Sequence, residues 1–600
     1  MGVASDWPGN ALKMGTNPDR HINRIEQLEA ALDIRWATVD GIHVAPPRRL
    51  TGPGLLWEAP GAVMDVSVED SDPNAIGRLW AQHARGVLNA VGWADQKLIC
   101  RVFQGGVSLA LSAPIDQLHS ATFLAKTAWH YCAADLSHTA SLPFQDMIRD
   151  LLRLMEQEAN SPLIALMLAA AAHDVDFLCD DEEVSIGHGV GAQIWPIDRL
   201  PAPNQIDWSA IHDAPIALIT GTNGKTTTTR LCAAIATAAG KVVGLTSTDL
   251  VQVGDDILDH GDYSGPGGAR MALCDPRLEV ACLEVARGGI LRRGLPTRRA
   301  RVALVTNVAR DHLGEYGVMT LADLAATKFA VTRALSADGV VVLNADDSQV
   351  VAAAAETTQP IWWFSIDATT PQIVQARDCG MPCCSVENGY LVFSAGRGKT
   401  FLIPLSEMPI TLQGAATHNV RNVLAAVCVC TAIGISEAAI RTGLKGFASD
   451  YRDNPGRFNE FHHKGARVFV DFAHNAHSIS AVCDALSAIP SKRRFIMLSQ
   501  PGNHSDQDIA DVAQAALQFG PDVIVIAEIE DYLRGRRLGD TSAVLKEYLS
   551  AAEFPPEQIL SAGSPPQGAK QILDELQPGD LALLLVLSDR GVIFDLLREQ

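Results

Sequence analysis

Short runs of apolar residues recur from Ile216 onwards, separated by segments with helical spacing or by glycine-rich turns. Apolar runs bounded by turn residues are typical of buried parallel strands. Strands that alternate with helices build α/β sheets. The pattern therefore predicts an α/β domain, and its strands include IALIT, VVGLTS, VACLE, VALVTN and VVVLN.

A second alternating region follows the helical segment HNVRNVLAAVCVCTAIG, which we expect to end at a cap formed by Gly434. RFNEFHHKGARVFVDFAH predicts two strands joined by a turn at Lys464 and Gly465, and RFIMLS, DVIVIAE and LALLLVL predict further strands. We therefore predict a central ATP-binding domain over residues 206–448 and a smaller Rossmann-like α/β domain over 449–600. Residues 1–205 end in the proline-broken stretch WPIDRLPAPNQIDW and are predicted to form an α+β region.

The most apolar helical run, LIALMLAAAA from Leu163 to Ala172, is about half as long as a membrane-spanning helix. We therefore expect a buried helix there and no membrane partner. The first residues, MGVASDWPGNALKMG, carry no apolar signal core. The twelve cysteines are dispersed along the chain, which suits a reducing compartment. Together these features predict a cytoplasmic protein.

The chain has a formal net charge of -21 over 600 residues. A protein that binds duplex nucleic acid needs a basic face, so this charge argues against a nucleic-acid partner. Hydrophobic residues make up 47% of the sequence, which is enough for the cores of several globular domains. Composition does not narrow the function further, so the function has to be inferred from local sequence motifs.

The sequence IALITGTNGKTTTTR combines an apolar strand, a glycine-rich turn and the start of a helix. Gly221 and Gly224 would let backbone N–H groups turn towards phosphate oxygens, and the helix presents its positive end. Lys225 would neutralise the β- and γ-phosphates, and the Thr226 hydroxyl would bind Mg²⁺. The later strand-end sequence LVTNVARDH lacks the NKxD-like signature of guanine-specific proteins. We therefore predict an ATP site.

Polar residues follow the neighbouring predicted strands. Glu284 ends VACLE, and Asp311 and His312 come shortly after VALVTN. Ligands of open α/β sheets bind at the carboxyl ends of strands, where a carboxylate can ligate Mg²⁺ and a histidine can bind a metal or accept a proton. Arg287, in a glycine-rich turn, could contact phosphate or an acidic substrate. Lys328 has the sequence context of an ordinary surface lysine on a helix.

These motifs, in this order, resemble the Mur ligase superfamily over about residues 206–600. The series is GTNGKTTT, Glu284, TN with DH (306–312), Lys328, NADD (344–347), HNVRN (418–422), GRF (456–458) and DFAHN (471–475). The resemblance implies a nucleotide site formed by Gly221, Thr222, Asn223, Gly224, Lys225, Thr226, Thr227, Asn419, Arg457 and Asp471. It implies Mg²⁺ ligation by Thr226, Glu284 and His312. The implied catalytic residues are Lys225, Glu284, His312, Lys328 and Arg457.

The resemblance also implies separate roles for the later residues. Asn419 would contact adenine, Asp471 would bind ribose, and Arg457 would reach the phosphates from the C-terminal domain. Lys328 would be carbamylated, which turns a cation into a carboxylate that binds or orients a metal.

Within the superfamily the chain is most similar to cyanophycin synthetase, through STDLVQVGDDILDHGDYSGPGGARMALCDPRLEVACLEVARGGILRRGL, LRGRR and, more loosely, PGNHSDQDI. About 205 residues precede the Mur-like part, and we expect these to be too few for both an N-terminal domain and a working ATP-grasp module. One ATP site is therefore expected, as in the shortened second type of cyanophycin synthetase, which polymerises β-aspartyl-arginine dipeptides. The candidate substrate residues are Thr248, Ser264, Arg287, His474, Asn475 and Arg534. Further arginines that could form a basic pocket are Arg292, Arg293, Arg536 and Arg537.

The resemblance implies an ADP-forming ligase that uses ATP and Mg²⁺ to make an acyl phosphate and then an amide. Its substrates would be an amino acid or dipeptide and a polymer primer, and the protein would be a homodimer or homotetramer. Three alternatives stay open: a Mur-type ligase for another acid or amine, a hydrolase or kinase with the same loop, and a non-catalytic ATP-binding scaffold. ATP turnover that needs both an acid and an amine would distinguish the ligase from the last two.

Overall fold

The computed structural model describes Leu32 and residues 36–396, 398–448 and 450–598. Ser449, predicted to begin the C-terminal domain, and the N-terminal sequence MGVASDWPGNALKMG lie outside the described residues. The chain forms two compact units, one made of Met1–Arg49 with Pro60–Ser161 and the other of Leu50–Ala59 with Pro162–Gln600. The predicted boundary at residue 205 stays a prediction.

The first unit is built on a small antiparallel sheet in the order β1-β3-β5-β4, with β2 paired to β3. Its strands are β1 (Ile42–Val44), β2 (Arg48–Leu50), β3 (Gly61–Val68), β4 (Leu98–Phe103) and β5 (Gly106–Ser112). Its helices are α1 (Pro73–Ala90), α2 (Leu118–Ser137) and α3 (Phe144–Glu158). Trp80 and Trp129 are fully buried in its core. The predicted α+β N-terminal region is confirmed.

The apolar run from Leu163 to Ala172 forms helix α4 (Ser161–Ala172), but the prediction that this helix is buried is wrong. Only Leu163, Leu166 and Ala170 are buried, and Leu168 is 61% exposed. The buried positions are three and four residues apart, so they share one face. Because nearly every residue of the run is apolar, the sequence contains no polar face to show which side meets solvent.

A three-stranded antiparallel sheet follows α4. Its strands are β6 (Phe177–Cys179), β7 (Glu183–Ile186) and β8 (Gln193–Pro196). None of the helices in the described part of the chain is both long and apolar enough to span a bilayer.

An eleven-stranded sheet forms the centre of the second unit, in the order β12-β11-β10-β13-β9-β14-β15-β16-β17-β18-β19. Its strands are β9 (Ile216–Thr220), β10 (Val243–Thr246), β11 (Leu250–Val253), β12 (Asp256–His260), β13 (Val280–Glu284), β14 (Ala300–Val305), β15 (Leu335–Asn344), β16 (Ile361–Ser365), β17 (Cys383–Glu387), β18 (Tyr390–Ala395) and β19 (Gly398–Pro404). The helices of this region are α5 (Lys225–Ala238), α6 (Pro266–Leu273), α7 (Arg287–Arg292), α8 (Leu321–Phe329), α9 (Ser348–Ala354), α10 (Pro371–Asp378), α11 (Thr417–Ala432) and α12 (Glu437–Gly446). Gly434, just beyond α11, has φ +88°, so the predicted glycine cap is confirmed.

The C-terminal part is a six-stranded sheet in the order β20-β21-β25-β22-β23-β24, and its strands from β21 onwards are parallel. Its strands are β20 (Asn459–His463), β21 (Ala466–Asp471), β22 (Arg494–Leu498), β23 (Val523–Ala527), β24 (Ile559–Ala562) and β25 (Leu581–Leu585). Its helices are α13 (Ala476–Ser487), α14 (Asp506–Leu517), α15 (Asp540–Ala551), α16 (Pro565–Glu575) and α17 (Arg590–Arg598). Positive φ angles at Lys464 and Gly465 confirm the predicted turn between β20 and β21.

The position of β9 in the central sheet determines where a ligand site can form. This strand lies between β13 and β14 and runs parallel to both. The carboxyl ends of the three strands therefore meet at one edge of the sheet, which is where open α/β sheets bind ligands. The phosphate-loop sequence, Glu284 and the segment that starts at Thr306 all leave the sheet at this edge.

Candidate functional site

The loop between β9 and α5 depends on glycine at two positions. Gly221 has φ +151°, and a Cβ atom there would lie 1.8 Å from Thr306 Oγ1. Gly224, which caps α5, has φ +82°, and its Cβ would lie 2.3 Å from Asn422 Oδ1. Side chains are excluded at both positions by backbone conformation and by space. The loop therefore has the shape that brings backbone N–H groups close to a phosphate.

The segment after β14 holds this loop in place. Asn307 Oδ1 accepts a hydrogen bond from the Asn223 amide at 2.9 Å. Thr306 Oγ1 and Asn307 Nδ2 donate to the Asn223 carbonyl at 2.7 and 2.9 Å. The conformation of the loop is thus set by side chains of the neighbouring strand end.

Lys225, Thr226 and Glu284 form the inner part of the site. Lys225 Nζ donates to the Thr222 carbonyl at 2.9 Å, and Thr226 Oγ1 donates to Glu284 Oε2 at 2.8 Å. Glu284 is 2% exposed, and its Oε1 has no hydrogen-bond partner among the described residues. Burial raises the pKa of Glu284, although Lys225 opposes this. A buried carboxylate oxygen that lacks a partner, beside a hydroxyl, suits Mg²⁺, which prefers oxygen ligands.

The C-terminal domain contributes Arg457 to the phosphate loop. Arg457 Nη2 donates to Thr226 Oγ1 at 3.5 Å and to Thr248 Oγ1 at 3.4 Å. Its guanidinium also lies over the Phe472 ring, 4.3 Å from the ring centroid. The structure therefore brings Arg457 into contact with the phosphate loop, as predicted; its role towards a phosphate stays a prediction.

Ion pairs and amide contacts hold the C-terminal domain against the loop. Asp249 accepts from Arg590 Nη2 at 2.8 Å and from Arg230 Nη2 at 3.2 Å, and so bridges the two domains. Asn475 Nδ2 donates to Asn223 Oδ1 at 3.1 Å. The arrangement is closed, with side chains of both domains around one space.

Asp471 and Asn419, the predicted ribose and adenine contacts, are both buried. Asp471 accepts backbone hydrogen bonds from Phe458 and Ala473, each at 2.7 Å, and burial raises its pKa to about 6. Asn419 Nδ2 donates to the Ile410 carbonyl at 3.2 Å. Their roles towards a nucleotide stay predictions.

His312 lies with Asp311 and His504, and the donor atoms of these three side chains are all within 4.8 Å of one another. Glu284 is not a member of this group. His312 has φ +48°, an uncommon conformation for a residue with a side chain, and burial lowers the pKa of its imidazole. The joint Mg²⁺ site of Glu284 and His312 stays a prediction.

Lys328 is 3% exposed, so its interpretation as a surface lysine is wrong. Burial and the nearby Lys225 hold the pKa of its amine well below the usual range, and only Asp311 opposes this among its charged neighbours. Lys328 lies in the last turn of helix α8, whose first turn is closed by a capping box of Thr320 and Asp323, and its side chain lines the cavity of the site.

These residues surround one cavity of about 1080 Å³. The cavity is lined by the following predicted site residues: Gly221, Thr222, Asn223, Gly224, Lys225, Thr226, Thr227, Thr248, Ser264, Glu284, Arg287, His312, Lys328, Asn419, Arg457, Asp471, His474 and Arg534. Asn475 is not in the lining but contacts Asn223 behind it. Of the other candidate arginines, Arg292 and Arg293 line the cavity, and Arg536 and Arg537 do not.

Four residues at or beside the cavity were not predicted as site residues: His504, Asp262, Asn422 and Tyr532. Asp262, Asn422 and Tyr532 line the cavity, while His504 lies against His312. Three of them stand inside segments with family-like sequence: Asp262 in STDLVQVGDDILDHGDYSGPGGAR, Asn422 in HNVRN and His504 in PGNHSDQDI. No local pattern indicates that His504 approaches His312, since 192 positions separate them in the chain.

Two family models match most of the second unit. The Mur ligase middle domain matches residues 219–430, and the Mur ligase glutamate ligase domain matches residues 456–585. The chain belongs to the Mur ligase superfamily. The predicted fold class, a Mur-ligase-like central domain followed by a Rossmann-like α/β domain, is confirmed.

The chain is 37% identical over 363 residues to cyanophycin synthetase of Trichormus variabilis, a match that covers 60% of this chain and 39% of the relative. The chain thus matches about two fifths of the length of that relative. It is 27% identical over 372 residues to UDP-N-acetylmuramoyl-L-alanyl-D-glutamate–2,6-diaminopimelate ligase of Geobacter metallireducens, covering 60% of this chain and 66% of the relative. The solved structure of E. coli FolC in complex with DHPP and ADP is 21% identical, with a TM-score of 0.46, and the match covers 64% of this chain and 87% of that chain.

Proposed function

We propose that this Mur ligase is an ATP-dependent, ADP-forming ligase that joins a carboxylate to an amine. The observation that carries the proposal is the contact of Arg457, from the C-terminal domain, with Thr226 of the phosphate loop. A hydrolase or a kinase can also use an arginine at its phosphate loop. The match to both Mur ligase domain models, one of which contains the loop and the other Arg457, therefore favours ligation over these two alternatives. A non-catalytic scaffold would be expected to lack part of the set that lines the cavity.

The chemistry follows from the groups around the cavity. A carboxylate does not react with an amine, because its leaving group would be oxide. Transfer of the γ-phosphoryl group of ATP to the carboxylate gives an acyl phosphate and ADP. An amine then attacks the acyl carbon, and the tetrahedral intermediate collapses to an amide with loss of phosphate. Lys225 and Arg457 would spread the negative charge of the transferring phosphoryl group, which is the main catalytic demand of such a step.

Thr226 and Glu284 would hold a Mg²⁺ ion, which would neutralise part of the phosphate charge when bound. The support for these ligands is the buried, unpartnered Glu284 Oε1 beside the Thr226 hydroxyl.

We propose further that the substrate is a β-aspartyl-arginine dipeptide, which is added to a cyanophycin-like primer. The similarity to cyanophycin synthetase over 363 residues supports this choice. The cavity is also lined by both basic and acidic side chains, and such a dipeptide needs both. Arg292 and Arg534 would face its carboxylates and Asp262 its guanidinium, whereas Arg287 and Glu315 already pair with each other at the cavity wall. A Mur-type ligase for a different acid or amine is the second candidate, because the relative from Geobacter metallireducens matches as much of the chain.

A product test separates the two candidates. We expect the purified protein with ATP, Mg²⁺, primer and β-aspartyl-arginine to lengthen the primer by dipeptide units, with one ADP per dipeptide, as mass spectrometry and ADP release would show. With free aspartate and arginine instead, we expect no polymer, because one ATP site makes one kind of bond. Polymer from the free amino acids would contradict the single-site proposal. Absence of product with either supply would favour the second candidate.

The Arg457→Lys variant tests the contribution of the C-terminal domain. Lysine keeps the charge but loses the forked contact to Thr226 and Thr248 and the stacking on Phe472. A hydrogen bond that involves a charged group contributes about 1.5–3 kcal/mol, so we expect kcat to fall about 10- to 100-fold. Arg452→Lys is the matched control, since Arg452 is 75% exposed and pairs with Asp450. Equal rates for the two variants would remove Arg457 from the mechanism.

We also propose that the protein acts in the cytoplasm as a homodimer or homotetramer and binds no nucleic acid. Light scattering of the full chain would give its mass in solution, and a monomer at all concentrations would contradict the oligomer.

A further inference from the structure

The segment Leu50–Ala59, with the sequence LTGPGLLWEA, belongs to the second unit, although the chain on both sides of it belongs to the first. We call this segment the strap. It lies against the C-terminal end of α7, the short helix that precedes Arg293. Arg292, the last residue of α7, and Arg293 both line the cavity. The strap therefore contacts the part of the chain that carries two of the cavity arginines.

Hydrogen bonds attach the strap to the residues that follow α7. The Thr51 N–H donates to the Arg293 carbonyl at 2.7 Å, and the Thr51 hydroxyl donates to the same carbonyl at 3.1 Å. The Leu295 N–H donates to the Pro53 carbonyl at 2.6 Å. The end of α7 is thus tied to the strap on both sides of Gly294.

Two glycines let the two backbones touch. A Cβ atom at Gly52 would lie 2.1 Å from the Leu295 carbonyl oxygen. Gly294 has φ +92°, and its Cβ would lie 2.4 Å from the Gly52 carbonyl oxygen. Since neither position has room for a side chain, this close approach depends on glycine in both segments.

Arg333, which follows α8, fixes the other end of the strap. Its Nη1 donates to the carbonyls of Gly54 and Leu55 at 2.6 and 2.7 Å. The Gly54 N–H donates to the Trp57 carbonyl at 2.9 Å and closes a turn there. The Leu55 side chain packs against the apolar core that also contains the buried residues of α7. The strap is therefore anchored at several points of the central domain.

Helix α7 needs support of this kind. It has six residues, which is fewer than two turns, and its buried residues are Ile290 and Leu291. Isolated helices shorter than about 12 residues are marginally stable in water, so a helix of this length depends on tertiary contacts. The strap supplies such contacts at the end where Arg292 lies.

The position of the Arg292 guanidinium follows the position of the helix. The guanidinium lies over Gly288 of the same helix, where a Cβ atom would be 3.1 Å from Arg292 Nη2. It makes no hydrogen bond or ion pair with other residues that the structure describes. Its place at the cavity is thus set by the backbone of α7 and by whatever holds that backbone.

We propose that the strap positions α7, and through it Arg292, for the carboxylate of the acid substrate, an inference that rests on the proposed ligase function. A charge-assisted hydrogen bond needs a fixed geometry, so a cation displaced by about 1 Å binds a carboxylate much less well. The phosphate loop is held separately, by Thr306 and Asn307. The strap therefore acts on the acid substrate and not on ATP.

The Gly52→Ala variant of the full chain tests this proposal. A carbon and an oxygen atom normally approach to about 3.3 Å, whereas the new Cβ would lie 2.1 Å from the Leu295 carbonyl oxygen, so the strap has to move. Gly446→Ala is the matched control. Gly446 ends α12, and a Cβ there would meet no atom within 4 Å outside its own helix.

We expect the KM for β-aspartyl-arginine to rise at least ~10-fold in Gly52→Ala, with the KM for ATP unchanged. The control should match the unmodified chain in both constants. Calorimetry gives the same comparison without turnover, because it measures the dissociation constants of the dipeptide and of ATP. A loss that affects both ligands equally, or neither, would overturn the positioning role.

Arg333→Ala keeps the test decisive if Gly52→Ala fails to fold. Arg333 is exposed, and its truncation removes the two hydrogen bonds to the strap without filling any space. Since a hydrogen bond contributes modestly to stability, we expect a smaller rise in the dipeptide constant, about 3-fold, again without a change for ATP. An unchanged dipeptide constant in this variant would contradict the proposal.

Hydrogen exchange separates the strap from the proposed function. The Leu295 amide, which donates to Pro53, should exchange at least ~10-fold faster in Gly52→Ala than in Gly446→Ala. Unchanged exchange would show that the strap does not hold α7. A chain that joins no substrates but shows faster exchange and selectively weaker dipeptide binding would contradict only the ligase. A chain that binds no dipeptide would overturn the positioning of Arg292 for this acid.

Discussion

Replacement of Lys225 by alanine is expected to lower the rate of ATP-dependent amide formation at least ~10²-fold and to leave the fold intact. Lys225 is the first residue of α5, and its positive charge lowers the pKa of the nearby Glu284. Its Nζ contacts the Thr222 carbonyl, an interaction within the loop that a phosphate can replace. Removal of a charge that neutralises the transferring phosphoryl group typically raises the activation barrier by several kcal/mol.

Lys241→Ala is the control for this variant. Lys241 lies just beyond the other end of the same helix, and its side chain is 44% exposed in an ion pair with Glu279. Exposed ion pairs contribute about 0–1 kcal/mol, so activity and stability should hardly change. ADP release, amide product and the midpoint of thermal unfolding would be measured for both variants. If a folded Lys225→Ala protein kept a near-normal rate, the ATP site would have to lie elsewhere.

The phosphate loop and the strand ends were predictable because their signals are local. A short apolar run followed by a glycine-rich turn can be interpreted from neighbouring residues alone. Glu284 could be placed at the site for the same reason, since the end of a parallel strand fixes the edge of the sheet at which its last residue lies. The same reasoning predicted the turn at Lys464 and Gly465 and the cap at Gly434.

Features that depend on contacts between distant segments could not be predicted in this way. The exposed face of α4 was missed, because a run such as LIALMLAAAA contains no polar residues that mark the solvent side. The approach of His504 to His312 depends on how the C-terminal domain packs on the central one. The burial of Lys328 is a third case, since its helix has the sequence of an ordinary amphipathic segment.

The structure gives Lys328 a physical reason to be modified. Its ammonium form would be a buried cation with Lys225 and Arg287 among its charged neighbours and Asp311 as the opposing acid. Desolvation and repulsion favour the neutral amine. A neutral amine is nucleophilic, and its attack on CO₂ forms an N–C bond and releases one proton. The resulting carbamate is an anion, so the repulsion by Lys225 becomes attraction.

We therefore predict that Lys328 is carbamylated in the active protein. The Lys328→Ala variant should form amide at least ~10²-fold more slowly, because it lacks the carboxylate that orients the reacting groups beside the phosphate. Formate or acetate should restore part of the activity of this variant, but not of Lys225→Ala. Lys570→Ala, which removes an exposed lysine on α16, is the control and should be fully active. Protein prepared with ¹³C-bicarbonate should show a carbamate resonance that the Lys328→Ala variant lacks, and depletion of CO₂ should lower the rate of the unmodified chain. A rate that is independent of CO₂, together with a free amine at Lys328 in an electron-density map, would show that the lysine acts unmodified or not at all.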